Sequence, residues 1–203
     1  MRVPLSTLLK MNEGAVLSSL QYDLYSFPGL KSASYLTIHE NQLYIGYCNT
    51  KNNSGADFYM TVIDSSGNPL AKNSDQTMIR PLYSYTAKSY IQGLCIIKTD
   101  SGTYAIFSQS YGRRNTGLAS EKGSKLLVYD YNRTDTDFNR PAEKSIPMPA
   151  MIEQIYPYGT SVLFAVFESA SNAYYQKNIF RKTSRSINQI DRICALDLYK
   201  ILP

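Results

Sequence analysis

The sequence predicts an all-β fold that repeats one unit of short strands about three times and contains little helix. A strand, a turn, a second strand and an outer hairpin recur with starts near Ser34, Gln92 and Glu153, at intervals of about sixty residues. The 18 tyrosines favour strands, and Gly, Pro, Asn and Ser separate the apolar runs. Such a period is typical of propeller blades. We therefore predict a β-propeller-like array of about three four-stranded antiparallel blades, a partial propeller.

The domain organisation follows from this repeat. A chain of 203 residues can bury a sizeable core within one domain. We expect residues 30–203 to form that domain, with blades at about 30–85, 86–147 and 148–203. Residues 1–29 precede it as an N-terminal segment, and its extended part is a candidate for an outer strand that clasps the last blade to the first.

The strands of each unit can be placed from their apolar and β-branched runs. The first unit bends at Glu40-Asn41 and reverses at 65–68, the second turns at 100–102, and the third turns at Gly159-Thr160. The predicted strands are 34–39, 42–48 and 58–64 in the first unit, 91–98, 103–110 and 125–131 in the second, and 152–158, 161–168 and 192–198 in the third.

The connection between the second and third strands lengthens from unit to unit. It has about nine residues in the first unit, about fourteen in the second and more than about twenty in the third. In a propeller this connection returns to the same face every time, and loops on a rigid scaffold are frequent sites. The face with SQSYGRRNTGLASEKGS and ESASNAYYQKNIFRKTSRSINQID is therefore the predicted functional face.

Composition and charge restrict the class of protein. Hydrophobic residues at 43% and charged residues at 18% are typical of a globular chain and exclude a disordered one. The net charge of +5 is compatible with an anionic partner, and the densest basic stretch is KNIFRKTSRS. We interpret that stretch as a solvated loop. Nucleic acid, an anionic glycan or a cell-wall polymer are alternatives, although no motif supports nucleic acid specifically.

No targeting or membrane segment is evident in the sequence. Residues 1–19 lack the continuous apolar core of a signal peptide, because Lys10, Asn12, Glu13 and Gly14 interrupt it. No apolar run approaches the roughly 18 residues that a membrane-spanning helix needs. We therefore expect no membrane span, and the residues themselves leave the compartment open.

Neither cysteine nor histidine forms a metal-binding pattern. Cys48, Cys95 and Cys194 each lie in a strand-like run and are expected to be small buried hydrophobic residues. His39 is the only histidine, which excludes a histidine cage, and no CxxC spacing occurs. The GxSxG, P-loop, GxGxxG and EF-hand motifs are absent as well. The sequence predicts no metal site and no cofactor.

Five phrases of the sequence carry a resemblance: YIQGLCII, SQSYGRRN, PMPAMIEQI, VFESASNAYY and IDRICALDL. In this order they resemble the C-terminal half of uncharacterised, mostly secreted bacterial propeller-like proteins, over roughly residues 30–200. The resemblance implies a propeller fold and an extracellular or cell-surface location, and it implies no activity. The sequence departs from that pattern at 152–154, where Ile-Glu-Gln replaces a Glu-Gly pair, and it lacks the half with the other blades.

Polar residues on the first strand of each unit form one candidate site. Gln92 and Glu153 are predicted at equivalent positions on the innermost strands, with Ser34 or Tyr35 as their counterpart. Such side chains line the central channel of a propeller, where they hold water, a metal or a small ligand. We interpret them as a hydrogen-bonded, hydrated channel, and ligand binding is the alternative.

The two ends of the longest loop carry a second candidate pair. Glu168 follows an apolar run and Arg192 opens the last strand, so we expect a bidentate ion pair that ties the ends of the loop together. Glu153 and Glu168 are also the one plausible inward carboxylate pair for acid/base catalysis.

The SYGRRN loop is the best candidate for recognition. Its glycine permits a sharp bend, Arg113 offers planar donors for carboxylate or phosphate, and Tyr111 offers a stacking face. Ser110 and Asn115 complete this loop, and Tyr174 would add an aromatic wall opposite it. An alternative is that an arginine attaches the loop to a neighbouring blade.

Three functions are consistent with the sequence. The first is a non-enzymatic binding module of propeller type, which holds a glycan, a cell-wall polymer or a protein on the SYGRRN and FESASNAYY loops. The second is a propeller-type hydrolase or lyase that uses Glu153 and Glu168. The third is an assembly fragment that completes a propeller with a second copy or another chain.

Overall fold

Short strands make up most of the chain that the structure describes. This computed structural model describes residues 5–12, 15–16, 25–28, 30, 33–49, 56–73, 76–110, 124–149, 152–167 and 193–203. Within them the strands are β1 (Tyr35–His39), β2 (Gln42–Gly46), β3 (Ala56–Val62), β4 (Tyr83–Ala87), β5 (Ile91–Thr99), β6 (Gly102–Gln109), β7 (Ser124–Asp130), β8 (Asp137–Phe138), β9 (Lys144–Met148), β10 (Ile152–Tyr158), β11 (Val162–Phe167) and β12 (Cys194–Asp197). Two short helices, α1 (Leu5–Leu8) and α2 (Leu198–Ile201), lie near the ends. The predicted all-β class is confirmed. The nine strands placed from the sequence agree with the structure to within about two residues, whereas β4, β8 and β9 were not placed individually.

Consecutive strands pair with one another and form three sheets in the described chain. Sheet 1 has the order β1-β2-β3-β4-β8, sheet 2 the order β5-β6-β7-β9, and sheet 3 the order β10-β11-β12. Neighbouring strands are antiparallel except β4 and β8, which are parallel. Sheet 2 has the predicted four strands. Sheet 1 gains the two-residue β8, and sheet 3 has three strands among the described residues.

Sheet 2 lies between the other two sheets and is buried on both faces. Successive residues of a strand point to opposite faces. Leu94 and Phe107 accordingly join a core cluster shared with sheet 1, whereas Cys95 and Ile106 join a second cluster shared with sheet 3. Because both faces are covered there, β5, β6 and β7 are largely continuous apolar runs, whereas the edge strand β9 alternates in exposure.

The first strands of the three sheets converge. Strand β5 contacts both β1 and β10. The side-chain amide of Gln154 in β10 also donates to the Leu36 carbonyl of β1, at 3.3 Å. The edge strands of sheets 1 and 3 therefore lie within one side-chain length of each other at this point.

Aromatic rings fill the space between sheets 1 and 2. Phe138 comes from the two-residue β8, and its ring centroid lies 5.3 Å from those of Phe107 and Tyr129. Phe58 stacks on Tyr85 with centroids 4.7 Å apart. All five side chains are almost fully buried. The high tyrosine content is thus explained in part by an aromatic core.

Two of the buried tyrosines, Tyr85 and Tyr129, direct their hydroxyl groups to backbone carbonyls at the edge of the core. The Tyr85 hydroxyl donates to the Arg133 carbonyl at 3.1 Å, and the Tyr129 hydroxyl donates to the Arg140 carbonyl at 3.3 Å. Burial raises the pKa of both hydroxyls. These rings therefore supply apolar area while their polar atoms stay hydrogen-bonded.

Two reversals that the sequence predicts are present in sheet 1. Glu40 has a φ of 55° in the bend between β1 and β2, the left-handed conformation that tight hairpin loops require. Asp64 accepts hydrogen bonds from the backbone N–H groups of Ser66 and Asn68, both at 2.8 Å. A carboxylate that bonds its own turn in this way stabilises the reversal.

The described part of the N-terminal segment packs on sheet 1. Ser26 forms a parallel bridge with Met78, and the Ser26 carbonyl accepts from the Ile79 N–H at 2.8 Å. The ring of Phe27 stacks on Tyr59 with centroids 6.3 Å apart. Most of the predicted extended stretch lies outside the described residues, so a clasp to the last sheet stays a prediction.

The three cysteines are not all buried, contrary to the prediction. Cys95 is fully buried in β5, whereas Cys48 and Cys194 are partly exposed. Cys48 lies two residues beyond the end of β2. Cys194 begins β12, which is an edge strand of sheet 3 as described. Both lie at the margin of a sheet, where packing covers fewer of their atoms.

Candidate functional site

Strand β5 begins with a β-bulge at Gln92. Ile91 pairs with Gln109, and Gly93 pairs with Ser108, so Gln92 is the extra residue of β5. A bulge bends the strand and redirects a side chain, and bulges are frequent beside functional sites. The half-buried Gln92 side chain is thereby placed at the beginning of the first strand of sheet 2.

Strand β10 has a comparable bulge. Ile152 pairs with Phe167 and Ile155 pairs with Ala165, which leaves two residues of β10, Glu153 and Gln154, opposite a single residue of β11. Both side chains are half-buried. Glu153 therefore has the position in sheet 3 that Gln92 has in sheet 2, in agreement with the equivalence that the sequence predicts.

In sheet 1 the predicted counterparts are Ser34 and Tyr35, and Ser34 lies one residue before β1. Its N–H donates to the Gly46 carbonyl at 2.9 Å, and its hydroxyl oxygen accepts from the Cys48 N–H at 2.9 Å. Tyr35, the other candidate, instead turns into the core beside Phe58 and is 3% exposed. Of the two predicted counterparts, Ser34 carries the exposed polar side chain at this end.

Two hydrogen bonds join sheet 2 to sheet 3 at this end. The Ser110 hydroxyl donates to Glu153 Oε1 at 3.3 Å. The Ser108 hydroxyl donates to the Glu153 backbone carbonyl. Ser110 directly follows β6 and is the first residue of the SYGRRN loop. The beginning of that loop therefore lies beside the first strand of sheet 3.

A third hydrogen bond joins sheet 1 to sheet 2. The Tyr90 N–H, just before β5, donates to the Asn49 carbonyl at 2.8 Å. Tyr90 has a φ of 65°, so the chain turns sharply as it enters β5. The connection after β2 thus meets the beginning of β5, and the same end of all three sheets is tied together.

We refer to Ser34, Cys48, Gln92, Ser110 and Glu153 as the polar cluster. It offers hydroxyl, amide and carboxylate groups at the end where the long connections leave the sheets. Burial and the nearby negative charge of Glu153 raise the pKa of the Cys48 thiol to about 11. The thiol is therefore protonated near neutral pH, which disfavours a role as a thiolate nucleophile.

The sequence did not identify Cys48 or the close contact at Gly93 as parts of this site. A Cβ at residue 93 would lie 2.6 Å from Ser108 Oγ and 2.7 Å from the Glu153 carbonyl oxygen. The available signal was a glycine inside a strand, which indicates close approach of another backbone. No comparable local signal marked Cys48.

The predicted site residues divide into two groups. Gln92, Ser110 and Glu153 are described, and the structure brings them to one end of the molecule. The remaining candidates lie outside the described residues: Tyr111, Arg113, Asn115, Glu168, Tyr174 and Arg192. The expected pairings of Glu168 with Arg192 and of Glu168 with Glu153 therefore stay predictions.

No protein-family model matches the chain, and no curated protein matches it. Within the residue ranges given above, no group of three His, Cys, Asp or Glu side chains is placed to hold a metal ion. No helix in that part of the chain is long and apolar enough to cross a membrane.

Proposed function

We propose that the chain is a non-enzymatic binding module of β-propeller type, whose ligand is held at the end that carries the polar cluster. The observation that supports this is the hydrogen bond from Ser110 to Glu153, 3.3 Å long. It joins the beginning of a long loop on sheet 2 to the first strand of sheet 3. Residues of two sheets thus contribute to one surface, as is common where loops on a rigid scaffold form a binding site.

The stacking of the sheets supports the propeller part of the proposal. In a propeller each blade packs both faces on its neighbours, and the first strands surround the axis. Sheet 2 has both faces packed, and β5 lies between β1 and β10.

The strand registers support a common loop face. Tyr35 pairs with Gly46, Ile91 with Gln109, and Ile152 with Phe167. In every sheet the second strand therefore ends beside the beginning of the first strand. The connections that follow begin at that end, and they contain the other proposed ligand-binding residues: Tyr111, Arg113, Asn115, Glu168, Tyr174 and Arg192.

The chemistry of these residues favours an anionic glycan or cell-wall polymer as the ligand. Arg113 supplies planar donors that suit carboxylate and phosphate groups, and Tyr111 supplies a flat face for a sugar ring. Ser110 and Gln92 add neutral hydrogen-bonding groups at the end of the sheets where that loop begins. The net charge of +5 favours association with such a polymer.

The two alternative functions have less support. For a hydrolase or lyase, the carboxylate of Glu153 is already held by the Ser110 hydroxyl. For an assembly fragment, the hydrogen bond from Gln154 to Leu36 brings β10 close to β1. That contact narrows the space in which a second set of sheets would have to fit.

Binding to a glycan array and to isolated cell-wall polymers tests the proposal. We expect Arg113→Ala and Tyr111→Ala to abolish binding and Glu153→Gln to weaken it. Lys98→Ala is the matched control, because Lys98 is an exposed basic residue near the opposite end of β5. Binding that persists in both Arg113→Ala and Tyr111→Ala would contradict the proposed surface.

A further inference from the structure

A groove runs along the free side of β1 and meets the polar cluster at Ser34. Its volume is about 660 Å³, and it is lined by residues 33–38 together with Gln154, Tyr156 and Pro157 of β10. Strand β1 is at the edge of sheet 1 and β10 is at the edge of sheet 3. The groove therefore lies between two edge strands that belong to different sheets.

The backbone of β1 presents hydrogen-bonding groups to this groove. His39 and Gln42 close a two-residue hairpin loop, so they exchange hydrogen bonds, and the pattern alternates along the strand. The backbone groups of Thr37 therefore face β2, while those of Leu36 and Ile38 face away from it. The direction is consistent with the Gln154 amide, which reaches the Leu36 carbonyl at 3.3 Å.

The backbone groups of β1 that lack a hydrogen-bond partner match one kind of occupant. Among the described residues the N–H groups of Leu36 and Ile38 and the Ile38 carbonyl have no hydrogen-bond partner. Donors and acceptors that alternate along an edge are the pattern to which an extended backbone pairs. A sugar or a small ligand would not reproduce this spacing along two successive outward residues.

The side chains and charge of the groove restrict the occupant further. Leu36 is 53% exposed, Ile38 is 56% exposed, and Tyr156 faces them at 65% exposure. No Asp, Glu, Lys or Arg is among the described residues that line the groove. A charged occupant would lose hydration without a compensating partner, whereas apolar side chains would cover these three residues.

We propose that β1 accepts an extended, uncharged polypeptide segment as an added strand, with apolar side chains at alternate positions directed toward Leu36, Ile38 and Tyr156. This site adjoins the polar cluster at Ser34 and extends away from it along β1. Its occupant is a polypeptide, whereas the proposed loop surface binds a polymer of sugars. The two proposals can fail independently, because one depends on Arg113 and Tyr111 and the other on the edge of β1.

The test uses the full chain and a pool of short, end-blocked peptides randomised over uncharged residues. A peptide selected from the pool is then made in two further forms, N-methylated at alternate backbone nitrogens in one register or in the other. Strand addition uses every second N–H of the incoming segment. We therefore expect one form to bind about tenfold or more weakly and the other to keep its affinity.

Two variants locate the binding on the protein. Ile38→Asp places a carboxylate beside the added strand and is expected to weaken binding by about tenfold or more. Leu70→Asp changes an apolar side chain that is 63% exposed outside the groove, and it should leave binding unchanged.

Four results would overturn the proposal. These are a pool that yields no binder, two N-methylated forms with equal affinity, and a Leu70→Asp variant as weak as Ile38→Asp. The fourth is sedimentation that shows a dimer which Ile38→Asp dissociates, since the groove would then be an interface between two copies of the chain.

Discussion

Gly93 of β5 and the backbone carbonyl of Glu153 in β10 lie against each other with no room for a side chain between them. A Cβ at residue 93 would be 2.7 Å from that carbonyl oxygen. The oxygen belongs to the backbone of β10, so it cannot rotate away as a side chain would. This contact sets the spacing of sheets 2 and 3 beside the polar cluster.

Gly93→Ala is expected to lower the free energy of unfolding by about 1–3 kcal/mol, because the added methyl group must displace the backbone of β10. Urea unfolding measures the change. The same substitution in a Ser108→Ala background distinguishes the clash with the Ser108 hydroxyl from the clash with the Glu153 carbonyl. Removing the Ser108 hydroxyl leaves the carbonyl of Glu153 in place, so stability should not recover. Full recovery would show that the side chain alone opposes residue 93.

Phe138→Ala tests whether the two-residue β8 is part of the core. Phe138 is 1% exposed and lies among the rings of Phe107 and Tyr129. Its removal leaves a cavity, so we expect a loss of about 3–5 kcal/mol in the free energy of unfolding. Tyr158→Ala, at a position that is 66% exposed, is the control. A substitution at the surface should change the free energy of unfolding by no more than about 0.5 kcal/mol. Equal effects of the two substitutions would contradict the described position of Phe138.

The reactivity of Cys48 with iodoacetamide reports on the polar cluster. Burial and the charge of Glu153 raise the pKa of this thiol to about 11, and only the thiolate reacts. The rate should be low at pH 8 and rise about tenfold for each pH unit up to pH 10. A Cys194→Ser background removes the other partly exposed thiol.

Glu153→Gln removes the negative charge near Cys48 and leaves the shape of the side chain nearly unchanged. The thiol pKa should fall, so the reaction at pH 8 should become faster than in the parent chain. Glu143→Gln serves as a control, since Glu143 pairs with Arg140 and does not contribute to the raised pKa of Cys48. If Glu153→Gln leaves the rate unchanged, burial alone is responsible for the raised pKa of the Cys48 thiol.

Much of the fold could be predicted because its signals are local. The bend at Glu40-Asn41 and the reversal at Asp64 depend on residues within a few positions of each other, as do the apolar runs of β5 and β6. Gln92 and Glu153 could be placed at equivalent positions for a related reason. Each lies near the beginning of the first strand of a repeated unit, so the period of the repeat was sufficient to match the two positions.

Other features depend on contacts between distant parts of the chain. Nothing near Phe138 marks it as a core residue, since its strand has two residues and pairs in parallel with β4. Cys48 was predicted to be buried, and its partial exposure and its closeness to Glu153 arise from how sheets 1 and 3 approach each other. The groove along β1 likewise depends on how two sheets meet, since Gln154 of sheet 3 lines it and donates to the Leu36 carbonyl of sheet 1.

By itself the sequence determined the three inner strands of each unit, their reversals and the repeat, because backbone preferences and side-chain alternation act between neighbouring residues. Only the tertiary structure decided which sheet faces meet, where Phe138 packs, and which edge of β1 remains open. Those outcomes depend on close packing and hydrogen bonds between residues far apart in the chain, and local preferences do not specify such contacts.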